Sequence, residues 1–97
     1  NILFSDIFVP EEFEILKPYP NPFNPSTTLS WNMNKSGYFS IEMYDLNGSK
    51  IDILTNKYYS AGFHQHVWDA SDFINGIYFV RYSFEDTYVT QKLTLLK

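Results

Sequence analysis

Apolar and polar residues alternate along most of this chain with a period of two, the spacing at which side chains point to opposite faces of a strand. Leu29, Trp31 and Met33 fall on one face, with Thr28, Ser30 and Asn32 on the other. NKSG at 34–37 marks a turn, and Phe39, Ile41 and Met43 form the next apolar face against Ser40 and Glu42. DLNG at 45–48 ends that strand, and Asn47-Gly48 is a strong hairpin signal because both residues tolerate positive φ. KIDIL at 50–54 predicts a brief return strand. Gly62 opens FHQHVWDA, which places His64, His66 and Trp68 on one side of a strand. DFING at 72–76 is a further turn, after which Tyr78, Val80, Tyr82 and Phe84 alternate with Phe79, Arg81 and Ser83. EDT at 85–87 closes the last hairpin, and Val89, Leu93 and Leu95 line a final strand. Glu12, Phe13, Glu14 and Ile15 alternate too, predicting a short first strand.

About seven short strands at spacings near ten residues, with no stretch of helical period, predict an all-β fold: two antiparallel sheets sharing one core. At 97 residues the chain is one domain at most, burying roughly 65% of the surface its unfolded form exposes. Aromatics make up 20% of it, in keeping with strands. The net charge is −4 and the seven basic residues are scattered. That distribution excludes a nucleic-acid binder, which needs a basic stripe to displace counterions, and an anionic membrane surface. No apolar run reaches the roughly 20 residues of a membrane span. Cysteine is absent, so disulfides and thiolate metal sites are excluded. The chain starts at Asn1 rather than Met, with no basic leader, and is expected to be a piece of a larger protein.

All five prolines fall in the first 25 residues and all four glycines after them. Residues 1–12, rich in apolar side chains (Ile2, Leu3, Phe4, Ile7, Phe8, Val9), are expected to be a linker or the remnant of a preceding domain. The segment YPNPFNPSTT at 19–28 is stiff. Each proline fixes its own φ and biases the residue before it toward extended geometry. Asn21 and Asn24 are expected to fold their side-chain oxygens onto backbone two residues on, leaving Phe23 to plug one end of the sandwich.

Five segments occur in a fixed order: YPNPFNPSTTLSW, YDLNGSKI, AGFHQHVWD, NGIYFVRYS and QKLTLLK. In that order they resemble the C-terminal sorting domains of the type IX secretion system and the related Ig-like domain of flagellar hook-capping proteins. The resemblance runs from about Phe13 to Lys97. It departs in the short DASDFI link and at Ala70, where relatives carry a longer glycine-rich loop and a glycine. It implies an Ig-like β-sandwich over 13–97 that is no enzyme and holds no cofactor. Such a domain follows a secreted cargo domain, is recognised by an outer-membrane secretion translocon, and is often removed by a sortase-like peptidase. Its implied location is the cell surface or medium, reached through the periplasm of a Gram-negative bacterium, without membrane insertion. The residues that match the export signal are Lys92, Leu93, Leu95, Leu96 and Lys97, and the chain's ending there agrees with a natural C-terminus. Those that match the family's structural motif are Asn21, Pro22, Phe23, Asn24, Pro25, Gly48, Gly62, Trp68 and Gly76.

Catalytic motifs are lacking: there is no nucleophile elbow, phosphate loop or metalloprotease helix. His64 and His66 share a strand face but lack the further ligands of a structural zinc site. Asp69 and Asp72 flank a turn, where capping is the expected role rather than calcium binding, which takes six to eight oxygens. Two alternatives to sorting remain open on the residues. Tyr38, Tyr58, Tyr59, Phe79 and Tyr88 are expected to point outward and offer a carbohydrate platform, and the apolar residues 1–9 offer a means of packing on an upstream catalytic domain as an accessory module.

Overall fold

The computed structural model of the protein describes residues 12–97. The expectations for residues 1–9 lie outside the described residues. Seven strands form: β1 (Phe13–Ile15), β2 (Ser26–Met33), β3 (Gly37–Tyr44), β4 (Lys50–Tyr59), β5 (Gly62–Asp69), β6 (Gly76–Phe84) and β7 (Thr87–Leu95). No helix occurs among the described residues. The three-stranded sheet has the order β1-β2-β5 and the four-stranded sheet the order β4-β3-β6-β7, with every strand pair antiparallel. The fold is the predicted sandwich. It differs from an immunoglobulin constant-type sandwich in its fourth strand, which lies beside β3 instead of β5.

The alternating apolar faces meet between the sheets. Leu29, Trp31 and Met33 of β2 pack toward Phe39, Ile41 and Met43 of β3 and Val80, Tyr82 and Phe84 of β6, all buried. Trp31 stacks on Phe39 at 4.8 Å and meets Tyr59 edge-on at 5.4 Å. His64 lies in this aromatic group, 4.8 Å from Tyr59, with Nε2 hydrogen-bonded to the Ser60 carbonyl at 2.7 Å. Gly37 is needed for packing, since a Cβ there would sit 2.5 Å from Cε1 of Phe84.

The hairpin predicted at 45–48 forms between β3 and β4, with positive φ at Gly48 alone, at +84°. The Asp45 carboxylate accepts the N–H groups of Asn47 and Ser49, which builds the turn on Asp45 and leaves Gly48 to absorb the left-handed step. Strand β4 extends to Tyr59 rather than ending at Leu54, and Tyr59 turns inward against Trp31 and Phe39 instead of outward. The cause is two register shifts against β3 that leave Ile51 and Leu54 unpaired, both packed against the core. Each bulge shifts the period-two pattern by one residue.

Candidate functional site at the terminal strand

The proline-rich segment joins the two ends of the domain. After β1 the chain stays beside β2, with Leu16 N–H donating to Ser30 and Tyr19 bridging Thr28. It then crosses to the other sheet and runs along the outer edge of β7. Asn21 Nδ2 donates to the Lys92 carbonyl at 3.1 Å, and Asn21 Oδ1 accepts the Thr94 N–H at 3.0 Å. An asparagine side chain thus replaces a backbone amide in a β ladder. This corrects the expected local turn at Asn21, whose partners lie 71 and 73 residues away. Phe23 continues the pairing in parallel: its N–H donates to Thr94 at 2.9 Å, and its carbonyl accepts from Leu96 at 3.0 Å. Prolines suit this edge because they hold the segment extended and need no ladder hydrogen bond of their own. Thr27 Oγ1 on the Pro20 carbonyl (2.7 Å) and Ala70 N–H on the Pro25 carbonyl (2.9 Å) fix the strap's far end.

Phe23 plugs the end of the sandwich as the sequence predicts. It is 2% exposed and packs at 5.6 Å on Trp68, which in turn meets Phe73 and Tyr78. Of the other motif positions, Trp68 is core, Gly48, Gly62 and Gly76 have positive φ, and Asn24 and Pro22 face solvent. Pro25 is half-buried.

The five residues matched to the export signal fall into two groups. Leu93 and Leu95 are fully buried in the core, whereas Lys92, Leu96 and Lys97 are exposed. Lys97 is held by the loop between β5 and β6: its N–H donates to Asn75 Oδ1 at 2.9 Å and its Nζ to the Ser71 carbonyl at 2.8 Å. In that loop Asp69 caps the N–H and hydroxyl of Ser71, and these bonds hold its carboxyl below the usual carboxylate range. Sequence reasoning missed Gln91, a polar residue on the core-facing side of β7. It accepts from the buried Tyr82 hydroxyl at 2.8 Å and donates to the Leu16 carbonyl at 3.1 Å, so one side chain ties β6, β7 and the strap. The alternation itself marked it: Gln91 stands on the face that Val89, Leu93 and Leu95 share.

A family model described as the secretion system C-terminal sorting domain matches residues 17–96. The chain belongs to that family. A search of curated proteins returns no match. The family is that of type IX secretion tails, so the sorting domain is a signal for export to the cell surface or medium. No helix among the described residues is long and apolar enough to cross a membrane.

The remaining aromatics of the sorting domain are placed by the same registers. Tyr38, Tyr58, Phe79 and Tyr88 lie on the outer face of the four-stranded sheet. Tyr38 and Tyr58 are cross-strand partners that meet edge to face at 80°, and Tyr88 is stacked by Arg81 with its guanidinium carbon 4.1 Å from the ring centre.

Proposed function

We propose that this domain is the non-catalytic sorting tail of a larger secreted bacterial protein. It carries an upstream cargo across the outer membrane and is cleaved by a sortase-like peptidase on surface attachment. The observation that carries the proposal is the family match over 17–96. The geometry supports a division of labour within the export signal. Leu93 and Leu95 anchor the terminal strand in the core, and Lys92, Leu96 and Lys97 are the side chains a translocon can touch without unfolding it. The strap and the 71–75 loop set the position of those three.

The division dictates the experiment. Deleting 92–97 would remove two core leucines and the strap's partners, so lost export would report lost folding. Instead, a reporter fused upstream of the chain is compared with a triple variant, Lys92→Glu, Leu96→Ser and Lys97→Glu, in a bacterium with the type IX route. The variant is expected to retain its urea midpoint and leave the reporter in the periplasm. A folded variant that still exports would count against recognition through these side chains. The carbohydrate alternative draws less support, because Tyr38 and Tyr58 stand at 80° to one another and do not form a flat plate.

A further inference from the structure

The strap covers only part of the β7 edge. Thr94 directs both its N–H and its carbonyl to the strap, so in the unbroken β6–β7 register Thr90 and Tyr88 point theirs to the same side. The Lys92 carbonyl is taken by Asn21. The Lys92 N–H and both backbone groups of Thr90 and Tyr88 have no partner among the described residues. Beside this open stretch is a cleft of about 320 Å³ lined by Lys17, Pro18, Asn21, Gln91 and Lys92. Neither lysine pairs with a carboxylate among the described residues, although acidic residues outnumber basic ones 11 to 7 in the chain.

We propose that the open half of the β7 edge, Tyr88 to Lys92, receives an extended acidic segment of a partner protein. Its backbone adds a strand to the four-stranded sheet and its carboxylate lodges between Lys17 and Lys92. Strand addition supplies main-chain hydrogen bonds, and the flanking charges select the sequence. The other edges fit such a segment less well. The β4 edge is broken by two bulges, β1 spans three residues, and β5 carries neither lysine nor arginine. The inference rests on the export reading and gives the chemistry of the partner strand.

The test titrates the isotope-labelled 97-residue chain with a blocked seven-residue peptide alternating valine and glutamate, and with its glutamine twin, to millimolar concentration. Amide shifts are expected at Tyr88–Lys92 and Lys17. The glutamine twin, or the double variant Lys17→Gln/Lys92→Gln, should bind roughly fivefold more weakly, as two exposed ion pairs allow. Thr90→Pro should abolish binding and keep the fold, because the N–H it removes points away from β6. If that variant fails to fold, the lysine double variant carries the test. Shifts at the β4 or β5 edge, equal binding of both peptides, or no shift at all would each overturn the inference. In the reporter assay, folded Thr90→Pro is expected to block export. Export that persists overturns the inference and leaves the export reading standing.

Discussion

Replacing Phe23 by alanine tests whether the strap is part of the folded core. The ring is 2% exposed, packed on Trp68, and flanked by the backbone bonds to Thr94 and Leu96. A buried phenylalanine removes about 150 Å² or more from water, which at about 25 cal/mol per Å² is roughly 4 kcal/mol. Large-to-small core replacements of phenylalanine cost about 3–5 kcal/mol, in agreement. A domain of this size has about 5–15 kcal/mol in all, so Phe23→Ala is expected to lower the urea midpoint by about 2 M. Asn24→Ala, one residue along and exposed, is the control and should stay within about 0.5 kcal/mol. Hydrogen exchange at Thr94 and Leu96, whose N–H groups are held by the strap, separates two routes to a smaller loss. If the strap opens by itself, those amides exchange faster than the β6 core in the parent protein, and the cost of Phe23→Ala is capped at that opening energy. A loss under about 1 kcal/mol with fully protected amides would refute the plug.

Two further outcomes follow from single residues. Glu85 takes φ +55° in the last hairpin, a conformation that costs an L-residue about 1–2 kcal/mol and glycine far less. Glu85→Gly is therefore expected to raise stability by about 0.5–1 kcal/mol in thermal or urea unfolding. The lost Lys35 contact (3.7 Å) joins two exposed side chains and offsets little of that gain. Burial holds the Tyr82 phenol far above its ordinary 10.0, so ionisation is favoured in the unfolded chain. The contribution is fully present below pH 10.0 and is lost as pH rises from there toward the raised folded value. Stability measured against pH should fall on the alkaline side, less steeply in Tyr82→Phe; a fall of equal slope in both would assign it to other groups.

The core explains why the proposed export role of Lys92, Leu96 and Lys97 is tested by substitution and not by deletion. Leu93 and Leu95 share a short segment with Lys92 and Leu96, yet they are buried where the others are exposed. Alternate side chains of one strand thus complete the core and face solvent.

Local pattern determined most of the strands, the faces of β2, β3, β6 and β7, the turns between them, and the plug at Phe23. Each of these depends on neighbours within a few residues: an alternation, a glycine, a proline. The bulges of β4 were not legible, because a bulge shifts the phase of the alternation and only pairing with β3 reveals where. The place of β4 beside β3, by contrast, follows from the hairpin signal at Asn47-Gly48. Asn21 shows the limit most directly. Its sequence context specifies a local turn, but the extended prolines carry its amide to Lys92 and Thr94, at the other end of the chain. Tertiary structure alone decides such contacts, because a polar side chain takes whichever backbone edge the closed sandwich leaves unpaired beside it.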